Sequence, residues 1–319
     1  TLPTARIGGL AIMASLTLAV LFYQTRTGEG IAVPLLLSAL PVFAVGLAED
    51  LGLFASPRRR LLAAGASAAL FVMLTGQWLN STDIPGLDHV LLWAPIGITF
   101  SVFLSVGVSH AFNLIDGLNG LSGSTALAAS LALAYIAHGS DLAAHRDILL
   151  LLAAAVVGFL VFNFPLGKIF LGDAGAYAIG HLLVWLSISI LWNAPNVTPL
   201  AVLLIFFWPI ADTLLAITRR LWRGAPIAQP DRMHFHQLVM RAAEIILLGR
   251  SRRSLANPLA TTLTLPFILA PIAAGALLQS DRAAAAAACT AFSLLFLCTY
   301  KAGMWLAPKL RRHAVQRPQ

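Results

Sequence analysis

Apolar residues run along this chain in long, nearly unbroken blocks, at roughly 7–23, 31–47, 61–79, 90–108, 121–138, 147–163, 174–192, 198–217, 258–279 and 283–300. Each block approaches or reaches the length an α-helix needs to cross about 30 Å of hydrocarbon. Barrel strands would alternate apolar and polar residues with a period of two, and the blocks do not alternate, so helices are predicted. The expected fold is all-α: a polytopic integral membrane helix bundle of about ten transmembrane helices. It forms one domain over residues 1–319, with its longest connection at about 218–257.

Composition supports lipid as the solvent. Hydrophobic residues make up 59% of the 319 and charged residues 11%, whereas a soluble domain is about 45–50% apolar and about 25% charged. Mean hydropathy is +0.83, which leaves too little polar surface to cover a water-facing globule. The same figures exclude a disordered chain, a coiled coil and a disulfide scaffold. The two cysteines, Cys289 and Cys298, share one apolar block and are expected to pack there.

Lys and Arg are distributed unevenly across the predicted spans. Alternating the connections puts 18 of the 21 basic residues on one side: Arg6, Arg58 to Arg60, Lys168, eight between Arg219 and Arg253, and five from Lys301 onward. Arg26, Arg146 and Arg282 fall on the other side. The basic side is predicted to be cytoplasmic, with both ends of the chain and the long connection. The net charge of +8 follows from this topology. It does not point to nucleic acid, since no binding module accompanies the basic residues.

Four polar clusters lie on that same side: Gly46-Leu47-Ala48-Glu49-Asp50, Asn113 to Gly120, Gly167 to Gly175, and Asp231-Arg232-Met233-His234-Phe235-His236. A carboxylate at mid-membrane costs roughly 2.5–3.5 kcal/mol on insertion scales and less near an interface. Glu49, Asp50, Asp116 and Asp173 therefore sit at tolerable depths. As a group with few neighbouring cations, they suit a shared hard divalent cation better than four separate solvated charges.

Asn113, Asp116 and Asn119 are spaced three apart and can line one face of a helical turn, although Asn-rich helix ends also serve as caps. Lys168 and a Gly-flanked Asp173 stand just before an apolar helix, whose free N–H groups suit phosphate oxygens. Asp173 equally suits an N-cap. His234 and His236 are two apart, which does not support a helical zinc pair. In a turn or extended segment, both can reach a phosphate or a backbone partner.

In this order, the clusters resemble the motifs of the polyprenyl-phosphate N-acetylhexosamine-1-phosphate transferases, relatives of the phospho-MurNAc-pentapeptide transferase. Gly46 to Asp50 is similar to the family's Gly-Leu-x-Asp-Asp element. Asn113 to Leu121 is similar to Asn-x-x-Asp-Gly-x-Asn/Asp-Gly-Leu, and Lys168 to Gly175 to Lys-x-Phe-x-Gly-Asp-x-Gly. Asp231 to His236 is similar to the Asp-Arg-x-His-x-His element of the hexosamine branch, and Pro3 to Gly9 to the stretch that opens the family's second span.

The resemblance implies transfer of an N-acetylhexosamine-1-phosphate, with GlcNAc-1-phosphate the default, from a UDP-N-acetylhexosamine to undecaprenyl phosphate. UMP is released at the cytoplasmic face of a bacterial inner membrane, with Mg²⁺ as cofactor and Mn²⁺ as a substitute. By the same resemblance Asp173 and Asp116 are the metal candidates, and Asp50 is a catalytic base or acceptor-phosphate contact. Glu49, Asn113, Asn119, Lys168, Arg232, His234 and His236 would bind substrate. Three positions depart from the family pattern: Glu49 for the first Asp of the pair, Gln237 for a third His, and Ala5 for a Pro. The family pattern also places a first helix ahead of Thr1, so the chain is expected to lack it.

Two other classes would share the span count. A transporter or flippase would hold its ionisable residues near mid-membrane, unlike this one-sided clustering. A scaffold binding anionic lipid would use the arginines but give no work to the second and third clusters. Small residues at Ala63 to Ser67 would admit a homodimer, although packing within one protomer is their ordinary role.

Overall fold

The computed structural model describes residues 4–27, 30–53, 56–224, 233–248 and 253–315. It is a bundle of α-helices: α1 (Gly8–Thr27), α2 (Ala32–Asp50), α3 (Pro57–Thr75), a short α4 (Leu87–Leu91), α5 (Ala94–Ile115), α6 (Leu121–Gly139), α7 (Ala143–Asn163), α8 (Gly172–Asn193), α9 (Pro199–Ile205), α10 (Phe207–Trp222), α11 (Phe235–Ala243), α12 (Arg253–Leu277) and α13 (Arg282–Val315). A π-helical turn, Glu244–Leu248, follows α11. Each of the ten apolar blocks is helical, and the protein is a multi-pass membrane helix bundle.

Seven of the described helices are long and apolar enough to cross a membrane. The count reaches eight if α9 and α10 are taken as one broken span. The expected number was ten, and the two that fall short are α1 and α3. The apolar stretch of α1 is Gly8–Tyr23, and α3 opens on Pro57-Arg58-Arg59-Arg60. The block at 198–217, read along the chain as one span, is two helices meeting at 77° around Phe206. Pro209 accounts for the break, because it has no N–H to donate to Ile205 and its ring clashes with that carbonyl. Three prolines inside α12 leave it a single helix, as membrane helices allow when neighbours re-satisfy the backbone.

The bundle is organised around α8, of which 94% of the most apolar 18-residue window is buried; the figure for α13, at the edge, is 17%. A helix apolar on all sides can be covered only by other helices, and α1, α2, α3, α5, α6 and α7 all touch it. Trp185 of α8 stacks on Phe71 of α3 with ring centroids 4.5 Å apart.

The segment before α1 lies along the approach to α8. Phe170 N donates to Ala5 O at 2.9 Å, and Gly8 and Gly9 N donate to Phe170 O and Leu171 O at 3.0 and 2.8 Å. Gly46 allows α2 to press on the start of α8, since a methyl group there would meet Ala174 Cα at 2.6 Å. These contacts bring the C-terminal ends of α2 and α5 and the N-terminal ends of α1, α3 and α8 together at one end of the bundle.

Candidate functional site

The first turn of α8 forms the floor of the site. Its exposed N–H groups are bound by Asp50, at the end of α2. Asp50 Oδ1 accepts from Asp173 N at 3.0 Å, and Oδ2 accepts from Ala174 N at 2.9 Å. This is an N-cap supplied from another helix, and it satisfies donors that a helix start leaves unpaired. Gly172 adopts φ +78°, and a Cβ there would lie 2.4 Å from Asp50 Oδ2, so only glycine fits the approach. Arg6 Nη1 lies 3.9 Å from Asp50 Oδ1, with the Arg6 side chain largely exposed.

Asp173 is the next residue of α8 and is half-buried. Its Oδ1 accepts from Asn113 Nδ2 at 2.8 Å. Asn113 Oδ1 accepts from the Tyr177 hydroxyl at 3.2 Å, and that hydroxyl accepts from Arg60 Nη1 at 3.3 Å. Arg60 Nε in turn lies 3.4 Å from Glu49 Oε2, and Glu49 Oε1 accepts from Ser56 N at 3.0 Å. Glu49 and Asp173 are near enough for their carboxylates to interact.

Asp116 is the residue that follows α5. Burial, together with the charges of Asp173 and Asp50, holds its carboxyl well above the usual carboxylate range, while Arg6 acts in the opposite direction. Asp50 and Asn113 thus contact Asp173 directly, and Asp116 is near enough for the charges of Asp173 and Asp50 to act on it.

His234 and His236 approach from the other side. Asp212 of α10, only 2% exposed, accepts from Phe235 N at 3.0 Å and lies 3.0 Å from His234 Nδ1. The two imidazole rings are nearly parallel, with centroids 5.7 Å apart. His236 is fully buried, and among the described residues neither of its ring nitrogens has a hydrogen-bond partner. A methyl group on Gly117 would lie 2.8 Å from His236 Nε2, so the histidine segment packs directly against the turn that carries Asp116. Burial lowers the His236 pKa to about 4, so the ring is neutral near pH 7.

A sequence profile described as glycosyl transferase family 4 matches residues 31–191, which is half the chain. The chain belongs to this family. Among curated relatives, it is 32% identical over 285 residues to the decaprenyl-phosphate N-acetylglucosaminephosphotransferase of Mycolicibacterium smegmatis, covering 79% of this chain and 67% of the relative. It is 28% identical over 236 residues to a probable undecaprenyl-phosphate N-acetylglucosaminyl 1-phosphate transferase of Bacillus subtilis, covering 74% and 65%. It is 27% identical over 183 residues to the undecaprenyl-phosphate alpha-N-acetylglucosaminyl 1-phosphate transferase of Escherichia coli K12, covering 56% and 50%. The chain spans about two thirds of the length of the first two of these relatives.

Within the family-matched region, the structure separates the remaining site candidates. Lys168 is exposed at the approach to α8, and its ammonium makes no hydrogen bond or ion pair among the described residues. Asn119 is used differently: its Nδ2 donates to Pro165 O at 3.0 Å, its N–H to Asn257 Oδ1 at 2.8 Å, and its carbonyl accepts from Thr261 at 2.7 Å. It ties three segments together, and its amide does not join the Asp173 cluster. Arg232 and Asp231 lie outside the described residues.

Sequence reasoning missed Arg60, Tyr177 and Asp212. Asp212 carried a signal, since it is the single acidic residue in the block at 198–217, where a charge is costly. Tyr177 sits one turn after Asp173, at the spacing that puts side chains on the same helix face. Arg60 was hidden in a run of three arginines. Among the described residues no group of three His, Cys, Asp or Glu side chains is placed to hold a metal by itself. The Glu49–Asp173 pair nonetheless fits a hard cation that completes its shell with substrate oxygens and water, as Mg²⁺ characteristically does.

Proposed function

We propose that this chain transfers N-acetylglucosamine-1-phosphate from a UDP-sugar to a polyprenyl phosphate such as undecaprenyl phosphate, releasing UMP and forming a lipid-linked diphosphosugar. The observation that carries this reading is the convergence of Glu49, Asp50, Asp116 and Asp173 at one end of an apolar bundle, around a helix start. A site of that kind can meet a lipid phosphate at the interface and a nucleotide from water. The relatives' names, which specify polyprenyl-phosphate N-acetylglucosamine-1-phosphate transfer, point the same way. The basic bias of this end supports the cytoplasmic face of a bacterial inner membrane.

In this mechanism, an oxygen of the lipid phosphate attacks the sugar-bearing phosphorus of the donor. A new P–O bond forms, and the bond from that phosphorus to the bridging oxygen breaks, so UMP leaves with its oxygen. Bound Mg²⁺ would supply charge neutralisation on the phosphoryl oxygens. The chain's own residues orient the groups. Asp173 and Glu49 present carboxylate oxygens, with Asp116 beside them. Arg6 and Lys168 offer exposed cations to phosphate, and buried neutral His236 offers its unpaired ring nitrogens. Asp50, expected as a base or acceptor-phosphate contact, has both oxygens engaged by α8 and acts here by holding that helix start in place. Direct attack needs no protein nucleophile, and catalysis rests on positioning and electrostatics.

The test uses the chain in nanodiscs with undecaprenyl phosphate, UDP-GlcNAc and Mg²⁺, and measures UMP release. Turnover that needs all three components and is abolished in Asp173→Asn is expected. Turnover without the lipid phosphate, or an undiminished Asp173→Asn, would overturn the reading.

A further inference from the structure

We propose that Tyr177 and Arg60 are positioning residues that set the direction of a hydrogen-bonded chain ending on Asp173, leaving the second carboxylate oxygen of Asp173 free to face a divalent cation. The inference rests on the reading of Asp173 given above and adds two residues to it.

Arg60 starts the chain because a guanidinium has five N–H donors and no acceptor. Its Nη1, 3.3 Å from the Tyr177 oxygen, can only donate, so the tyrosine proton must point elsewhere. The acceptor it finds is Asn113 Oδ1, at 3.2 Å. With its oxygen so engaged, the amide of Asn113 has one orientation, and its NH₂ group donates to Asp173 Oδ1 at 2.8 Å. The tyrosine hydroxyl adds a second hold on the amide orientation that Asp173 itself favours. The flipped form would set two acceptor oxygens face to face and repel the carboxylate.

The same arginine lies 3.4 Å from Glu49 Oε2. One donor-only cation therefore organises both arms of the Glu49–Asp173 pair. One arm is a direct ion pair, and the other runs through two neutral side chains. Each link crosses between helices: α3 to α8, α8 to α5, and α5 back to α8. The chain thus depends on the packing of three elements about a single centre.

A packing role is the competing account of Tyr177. Its ring is 1% exposed, clusters with Val42 and Ala64, and lies 5.0 Å from the His110 ring. Phenylalanine fills the same volume, so packing alone predicts no effect from Tyr177→Phe. A directional chain predicts an effect at Asp173, 60 residues from Asn113 in sequence but joined to it through space.

Two measurements on the full chain in nanodiscs decide the matter. The first is difference infrared spectroscopy without metal or nucleotide, with the Asp173 carboxylate band assigned by comparison with Asp173→Asn. Tyr177→Phe and Arg60→Gln are each expected to shift that band, and the double variant to shift it no further than the larger single change. An unmoved band in Tyr177→Phe, or additive shifts, overturns the proposal. The second is Mn²⁺ binding by electron paramagnetic resonance in the presence of UDP-GlcNAc. Tyr177→Phe is expected to weaken it about tenfold, the scale of one hydrogen bond to a charged group. Wild-type affinity in Tyr177→Phe would overturn the proposal. A wild-type chain that binds no Mn²⁺ would instead defeat the functional reading, and the infrared result would still decide the chain.

Discussion

Asp50 and the backbone of Asp173 are joined by a hydrogen bond of 3.0 Å across 123 residues of sequence, and the second Asp50 oxygen binds the next amide at 2.9 Å. Two polar clusters that look independent along the chain are thus one structural unit. Whatever Asp173 does depends on where Asp50 holds the first turn of α8.

Asp50→Ala should therefore act through α8. Loss of an N-cap costs about 0.5–2 kcal/mol, and the side chain it removes is only 2% exposed. A lower unfolding temperature in detergent is expected, together with lost UMP release. Full thermal stability with lost turnover would instead assign Asp50 to the chemistry itself.

Gly172→Ala tests the same joint from the other side. The residue would carry φ +78° and place a methyl group 2.4 Å from Asp50 Oδ2, with strain of about 1–3 kcal/mol from the backbone alone. Turnover should fall by at least tenfold. Gly65→Ala, with nothing within 4 Å of the added carbon, should behave as wild type in the same assay.

Asp212→Ala should release the histidine segment. It leaves Phe235 N and His234 Nδ1 without the acceptors they have at 3.0 Å, at about 1–3 kcal/mol for each buried group left unsatisfied. Faster proteolysis near residue 234 is the expected readout. Unchanged cleavage would show that other contacts seat this segment.

Stability should depend on pH through His236. Burial lowers its pKa from the usual 6.5 to about 4, with Asp212 opposing the shift and His234 adding to it. Between those values the unfolded chain binds a proton that the folded chain does not, so this contribution is intact above about pH 6.5 and declines as pH falls towards 4. Unfolding temperatures from pH 7.5 to 4.5 should fall less steeply in His236→Asn than in wild type. Parallel curves would contradict the assignment.

The spans and the composition of the site could be read along the chain, because a membrane imposes one-dimensional rules. Helix length must match hydrocarbon thickness, basic residues gather on one side, and carboxylates are tolerated near span ends. Those rules located the ten apolar blocks, put Glu49, Asp50, Asn113, Asp116 and Asp173 in polar clusters, and excluded a water-soluble globule. They said nothing of how each helix is rotated about its axis or bent.

Tertiary packing decided those matters. It broke the block at 198–217 by 77°, turned Asn119 away to tie loops, committed both Asp50 oxygens to α8, and drew Arg60, Tyr177 and Asp212 into the polar network. The physical reason is that hydropathy reports how apolar a position's surroundings are. A hydrogen bond depends on two particular atoms meeting at about 3 Å, and in a bundle that meeting is set by how neighbouring helices cross.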